Sequence, residues 1–336
     1  MSKPRVVISS RAFPETLEMF SENCEIVANQ TGDALSTSEL ATRCADADAL
    51  MAFMPDTVDA AFLDACPRLK IIGCALKGFD NFDVEACTAR NVWISIVPDL
   101  LTDPTAELAI GLTIGIGRNM PEGDRTVRSG FSGWRPILYG AGLAGATVGI
   151  LGMGAVGQAI ARRLQGFDVT ILYTDIDRLD DATESALGLT WRPTDDLQRS
   201  SDFLIVATPL TSQTRHLIDA GFIAALKPGA YLVNPARGSV VDERAVADAL
   251  ESGPLAGYAA DVFEFEDWAL ADRPRDIPEA LLANRAQTFF TPHIGSAVTE
   301  VRKAIERDAA ENILAALAGN VPPGAINRVN RQPAPA

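Results

Sequence analysis

Thr147-Val-Gly-Ile-Leu-Gly-Met-Gly-Ala-Val-Gly157 reads as a buried strand that runs into a helix through three spaced glycines. Val148 to Leu151 form a short apolar run, and Gln158-Ala-Ile-Ala-Arg-Arg-Leu164 sets apolar residues on one helical face. Gly152, Gly154 and Gly157 have the G-x-G-x-x-G spacing. The first glycine permits a tight turn, the second lets backbone approach a ligand, and the third lets helix lie close to strand. The N–H groups at the start of such a helix point at a pyrophosphate. A second apolar strand, Val169-Thr-Ile-Leu-Tyr-Thr174, ends at Asp175. An acid there bonds the ribose diol of NAD and repels the 2′-phosphate of NADP, a preference that the nearby Arg178 can soften. The expectation is a Rossmann-like unit that takes NAD. Gly152, Met153, Gly154, Ala155, Val156, Gly157 and Asp175 stand against the cofactor.

Strands and helices alternate on both sides of this stretch. Arg5 to Ser9, Glu25 to Ala28, Ala49 to Phe53, Leu69 to Cys74 and Trp93 to Ile96 read as strands. Ser36-Thr-Ser-Glu39 has capping-box spacing ahead of a helix that runs to about Cys44. Turn chemistry at Asp99 to Pro104 leads into a long apolar helix, about 105–117, where the chain crosses between domains. Residues 118–146 are polar and Gly-rich and read as a surface arm. Further strands follow near 202–207, 230–234, 257–261 and 288–291, and a helical pattern from Ser296 to about Leu317 carries the chain back. The expected architecture is α/β, with two Rossmann-like doubly wound parallel-sheet domains and the active site in the cleft between them. The substrate domain is placed at 1–100 plus 297–336 and the NAD-binding domain at 101–296. The tail, Arg331 to Ala336, is expected to be disordered.

Composition removes several function classes. The chain has 336 residues, enough for two cores, and 47% of them are hydrophobic. A formal charge of −15 argues against nucleic acid and anionic membrane as partners, and it obliges an anionic substrate to find a local basic pocket. No apolar run approaches the roughly eighteen residues of a membrane span. The N-terminus lacks the apolar core of a signal peptide. Five cysteines, odd in number and without C-x-x-C, read as buried free thiols of a cytoplasmic protein. No metal site is expected.

Two histidines are present. His293, in Phe289-Phe-Thr-Pro-His-Ile-Gly-Ser296, follows a strand, where open α/β sheets bind ligands, and reads as a general acid/base. His216, in Thr214-Arg-His-Leu-Ile218, reads as a structural or surface histidine. Asn234-Pro-Ala-Arg-Gly-Ser239 sets Arg237 at another strand end, with a planar fork suited to an oxyanion. Asp261-Val-Phe-Glu-Phe-Glu266 sets Glu266 after a third, where a carboxylate can hold an imidazole in one tautomer.

Taken in order, Gly152-Met-Gly-Ala-Val-Gly157 with Asp175, Asn234 to Ser239, Asp261 to Glu266 and Thr291-Pro-His293 resemble the D-isomer-specific 2-hydroxyacid dehydrogenase family. The resemblance implies Arg237 as substrate anchor, His293 as acid/base and Glu266 as its partner. It also implies cofactor contacts from Thr208, Pro209, Ala236, Arg237, Asp261 and His293, and a homodimer formed through about 104–146. One branch, the phosphite dehydrogenases, resembles the whole chain from about Val6 to Asn327. The residues that carry this are Met51 to Pro55, Ala75-Leu-Lys-Gly-Phe-Asp-Asn-Phe82, Val97 to Thr102, Gly133-Trp134 with Tyr139, and Asp267, where most of the family has proline. That branch implies Lys77, Gly78, Arg237 and Arg302 around the anion, with Met54, Trp134, Tyr139 and Ser296 lining the pocket. The expectation is therefore oxidation of phosphite to phosphate with hydride transfer to NAD, because several convergent cations suit a small dianion. The alternatives are a D-2-hydroxyacid dehydrogenase or glyoxylate/hydroxypyruvate reductase and, of another class, an NAD-sensing corepressor-like binding protein.

Overall fold

Short strands with apolar residues on both faces build two parallel sheets, as expected where helices cover each side. The computed structural model describes residues 3–97 and 99–330. The expectation for 331–336, and Pro98 of the Val97 to Thr102 stretch, lie outside the described residues. The chain divides into two units, one of Met1–Leu101, Trp268–Ala271 and Ala297–Ala336, the other of Thr102–Asp267 and Asp272–Ser296.

In the first unit, β1 (Arg5–Ile8), β2 (Glu25–Ala28), β3 (Ala49–Ala52), β4 (Ile71–Cys74) and β5 (Trp93–Ser95) form a sheet of order β2-β1-β3-β4-β5. All its pairs are parallel. Every residue of β3 and β4 is buried. The predicted capping box is present: Ser36 Oγ accepts from the Glu39 N–H at 3.3 Å, and the Ser36 N–H donates to Glu39 Oε2 at 2.9 Å. Helix Thr299–Leu317 packs Ile305, Ala309 and Ile313 on this sheet. Gly73 lets it come close, since a Cβ there would lie 2.6 Å from Ile313 Cγ1.

In the second unit, β6 (Thr147–Leu151), β7 (Thr170–Thr174), β8 (Leu189–Trp191), β9 (Phe203–Val206), β10 (Ala230–Asn234), β11 (Leu255–Ala260) and β12 (Thr288–Phe290) form a parallel sheet of order β12-β11-β10-β9-β6-β7-β8. One apolar cluster, with Val148, Ile150, Ile160 and Ile205, covers one face. A second, with Leu151, Leu204, Leu232 and Val246, covers the other. Helix Thr102–Gly117 starts three residues before its predicted position, because Pro104 is tolerated in a first turn. The arm contains a helix, Met120–Arg128, that the sequence reading lacks. None of its residues is buried, so it has no core-facing apolar stripe to announce it. All five cysteines are free and buried, and no helix among the described residues is long and apolar enough to cross a membrane.

Candidate active site

Parallel strands put their carboxyl ends on one edge of each sheet, and Gly152, Asp175, Arg237, Asp261 and His293 follow those ends. β6 lies between β9 and β7, the switch point at which open α/β sheets bind ligands. Gly152 leaves β6 at φ +97°, and a Cβ there would lie 2.7 Å from the Ala207 carbonyl oxygen and 2.9 Å from Thr208 Cγ2. The glycine turn is thus pressed on the loop that carries Thr208 and Pro209. A Cβ on Gly157 would lie 2.3 Å from the Gly152 carbonyl oxygen, so helix Ala155–Leu164 abuts the strand exit.

Gly154 differs from these two glycines. It is exposed, has no atom within 4 Å of a Cβ position, and gives the helix no side-chain cap. The uncapped first-turn amides, Ala155 and Val156 among them, face an open cradle of the kind that receives a pyrophosphate. Thr208 Oγ1 is buried with no hydrogen-bond partner among the described residues. The Met153 N–H donates to Asp175 Oδ2 at 2.5 Å, which fixes the acid at the end of β7 beside the glycine turn. These residues fit a nicotinamide dinucleotide.

His293 follows β12 and takes a left-handed backbone, φ +52°. Its N–H donates to the Asp261 carbonyl at 2.8 Å. The Asp261 carboxylate, buried after β11, accepts from Thr291 Oγ1 at 2.5 Å and from the amides of Ile294 and Gly295 at 2.8 Å. Burial pushes the Asp261 carboxyl up, against those bonds. Expected as a cofactor contact, Asp261 spends both oxygens on shaping the His293 loop. His293 Nδ1 lies 2.7 Å from Glu266 Oε2, and Glu266 Oε1 accepts from the Phe263 N–H at 2.9 Å. With Nδ1–H donated to the carboxylate, Nε2 is the nitrogen that can take or give a proton.

Arg237 follows β10 on a loop that Asn234 ties together. Asn234 Nδ2 donates to the Arg237 carbonyl at 2.9 Å, and its Oδ1 accepts from the Ala236 N–H at 3.1 Å. A Cβ on Gly238 would lie 1.9 Å from the Phe263 carbonyl carbon and 2.2 Å from the Glu264 nitrogen. The Arg237 loop therefore meets the turn that carries Glu266, backbone against backbone. Asp267 adds a clasp, accepting from the Ser239 N–H at 2.6 Å. Arg237, Glu266 and His293 are joined through these contacts.

His216 is tied into the same turn. Its Nε2 lies 2.7 Å from Glu264 Oε2, and its N–H donates to the Ser239 carbonyl at 2.7 Å. Glu264 and the buried Glu243 exchange bonds: the Glu243 N–H donates to Glu264 Oε1 at 3.0 Å and the Glu264 N–H to Glu243 Oε1 at 2.9 Å. Two histidines thus bond carboxylates of one 3₁₀ turn, Glu264–Glu266. The sequence reading missed this cluster, although Glu264 and Glu266 are two apart and each pairs with one of the two histidines.

In the first unit, Met54 follows β3, Lys77 and Gly78 follow β4, and all three are half-buried. Arg302 Nη1 donates to the Ala75 carbonyl at 3.4 Å, and its guanidinium carbon is 5.9 Å from the Phe53 ring centre. Burial pushes the Arg302 pKa down. Ser296, in the second unit, is half-buried. Trp134 and Tyr139 are 83% and 79% exposed, so neither is packed as a pocket wall within this chain.

Comparison with known proteins narrows the chemistry. The family model for the NAD-binding domain of D-isomer specific 2-hydroxyacid dehydrogenases matches residues 110–295. A glyoxylate reductase of Thermofilum pendens is 37% identical over 333 residues, covering 98% of this chain and 96% of that protein. A glyoxylate reductase of Pyrococcus furiosus is also 37% identical over 333 residues, covering 97% and 96%. Among solved structures, a Thermus thermophilus protein superposes with a TM-score of 0.87 at 32% identity, covering 96% of this chain and 100% of that one. The NADPH-dependent glyoxylate/hydroxypyruvate reductase of Sinorhizobium meliloti, solved with NADP and malonate, superposes with a TM-score of 0.82 at 31% identity, covering 97% of each.

These relatives overturn the expectation of phosphite oxidation, because full-length relatives carry the name of a 2-oxo acid reductase. Two residues that suggested phosphite are engaged with the protein's own backbone. Asp267 clasps the Ser239 amide, and Arg302 gives an N–H to a backbone carbonyl. A count of cations does not separate a phosphorus dianion from a 2-oxo acid, whose carboxylate and carbonyl both need donors. The chain is an oxidoreductase that uses a nicotinamide dinucleotide, and it belongs to the D-isomer specific 2-hydroxyacid dehydrogenase family.

Proposed function

We propose that this protein reduces glyoxylate and similarly small 2-oxo acids to the 2-hydroxy acid, with NADH preferred over NADPH. The observation that carries this is the 2.7 Å pair of His293 and Glu266 beside the Arg237 loop, in a chain 37% identical along nearly its whole length to glyoxylate reductases. The dinucleotide, when bound, supplies hydride to the carbonyl carbon. Arg237 grips the substrate carboxylate with its fork, and its charge draws electron density toward the carbonyl oxygen. Protonated His293 gives the Nε2 proton to the oxygen as negative charge develops there. Glu266 holds the imidazole in the required tautomer and supports its positive charge without itself taking the proton. One hydride and one proton convert the aldehyde to an alcohol, so the balance closes. Glyoxylate has hydrogen on its reacting carbon and needs no apolar pocket for a side chain. The first unit is the substrate domain in this reading, and the exposed apolar residues of 120–139 form a homodimer contact.

Initial rates of NADH consumption with glyoxylate, hydroxypyruvate and pyruvate, and of NADH formation with phosphite and NAD, test the proposal. Glyoxylate is expected to turn over fastest and phosphite not at all. Pyruvate outrunning glyoxylate in kcat/KM would replace the substrate assignment, and turnover of none of the 2-oxo acids would remove it.

A further inference from the structure

Asp175 accounts for repulsion of a 2′-phosphate, yet Arg178 stands three residues further along the same loop. An arginine at that distance would counter the repulsion if its guanidinium were at liberty to grip the phosphate. In the structure it is engaged. Arg178 Nε donates to Glu184 Oε1 at 2.9 Å, and Nη2 donates to Glu184 Oε2 at 2.8 Å, a two-pronged pair that fills one edge of the fork. Nη2 also lies 3.6 Å from Asp181 Oδ1. The guanidinium carbon is 5.9 Å from the centre of the Trp191 ring on β8.

Glu184 is braced in turn. The hydroxyl of Tyr173, fully buried on β7, donates to Glu184 Oε1 at 2.6 Å and accepts from the Leu179 N–H at 2.9 Å. The arginine first, and then the tyrosine hydroxyl, hold the Glu184 carboxyl down at about 2, so it remains an anion in any ordinary buffer. The core therefore positions the carboxylate that holds the arginine. The loop around it is otherwise acidic, with Asp175, Asp177, Asp180 and Asp181.

We propose that Glu184 is a specificity-determining residue for the cofactor: by holding Arg178 in a two-pronged pair, it withholds that guanidinium from a ribose 2′-phosphate. Asp175 repels the phosphate, and Glu184 removes the nearby cation that would otherwise compensate. Neutralising Asp175 alone lifts the repulsion but supplies no grip. Freeing Arg178 as well supplies one.

The proposal rests on the dinucleotide site and not on the choice of 2-oxo acid, so it is tested by binding without substrate. Quenching of tryptophan fluorescence by NADH and NADPH gives dissociation constants for the wild type and for Asp175→Ala, Asp175→Ala with Glu184→Gln, and Asp175→Ala with Arg178→Ala. Glutamine keeps an acceptor for Tyr173 while giving up the charge that holds the arginine. The Glu184→Gln change is expected to tighten NADPH binding about tenfold or more over Asp175→Ala alone, and to move NADH by no more than about threefold. The Arg178→Ala change, with Glu184 intact, is expected to leave the NADPH binding of Asp175→Ala within about twofold. A tenfold weakening from Arg178→Ala would show that the arginine already reaches the phosphate and would overturn the proposal, whether or not the Glu184 variant folds. No tightening from Glu184→Gln in a folded protein would overturn it equally.

Discussion

His293 and His216 sit on carboxylates of the same turn, and under the proposed function one of them moves a proton while the other braces the turn. His293 Nδ1 is taken by Glu266 and its second nitrogen is left to move a proton. His293→Ala is expected to lower kcat for glyoxylate by about 10²-fold or more, with the dissociation constant for NADH little changed. His216→Gln keeps a donor for Glu264 and is expected to hold kcat within a few-fold. His216→Ala leaves a buried carboxylate oxygen short of a partner, at about 1–3 kcal/mol of stability. Steady-state rates and thermal melts of the three variants separate these roles, and equal losses of kcat from His293→Ala and His216→Gln would refute them. The sequence singles out His293 because a histidine just past a strand in a parallel sheet stands on the ligand edge. It reads His216 as structural or at the surface but does not give its partner, Glu264, which lies 48 residues away on a turn of three residues. Asp261 was visible as a strand-end acid, but its three donors all come from the 291–295 loop and are set by folding.

At the level of elements, the 3₁₀ turn Glu264–Glu266 is held by backbone contact on one side and buried carboxyls on the other. Gly238→Ala would drive a methyl into the Phe263 carbonyl carbon, backbone that cannot rotate away. We expect a lower Tm and loss of most glyoxylate turnover, while Gly154→Ala, in open space, is expected to keep the Tm near wild type. Glu243 sits behind the turn with Oε2 buried and unpartnered among the described residues. Burial first, and then the charges of Glu264, Asp267 and Glu266, push its carboxyl up to about 8. Its folded state therefore favours the protonated form. That contribution is fully present below the ordinary value of 4.5 and is lost as pH rises toward about 8. Glu243→Gln cannot titrate, so its Tm is expected to rise relative to wild type between about pH 5 and pH 8, under a ceiling of ~5 kcal/mol at about 1.4 kcal/mol per pKa unit. Parallel Tm curves for the two proteins would refute the shift. The longer elements were legible because long stretches of helix-compatible, largely apolar residues run between clear turn signals, as in Thr102–Gly117. Strand β8, three residues at a sheet edge, was too short to show a period, and helix Met120–Arg128 is polar, carries Pro121 and Gly123, and buries no residue.

At the scale of the whole molecule, two parallel α/β sheets could be read from alternating apolar strands and amphipathic helices, because strands buried on both faces need almost no polar residues. The substrate could not be read that way. It depends on a few donors whose number a dianion and a 2-oxo acid satisfy alike, and the names of the relatives favour the 2-oxo acid. The arm raises a separate question, that of assembly. Met120, Val127, Phe131, Trp134, Ile137, Leu138 and Tyr139 are all exposed, between 39% and 83%, within twenty residues. Soluble monomers do not commonly leave so many large apolar side chains in water on one stretch, and such patches mark contacts between chains. Covering them returns about 25 cal/mol for each Å² of apolar surface removed from water, and a closed two-fold contact covers both copies at once. The protein is therefore expected to run as a dimer in light scattering after size exclusion. Val127→Asp with Trp134→Asp is expected to shift it toward the mass of one chain, since two charges placed in an apolar contact lose hydration without gaining partners. A wild type that stays monomeric at tens of micromolar, or a double variant that stays dimeric, would show that the arm is not the contact.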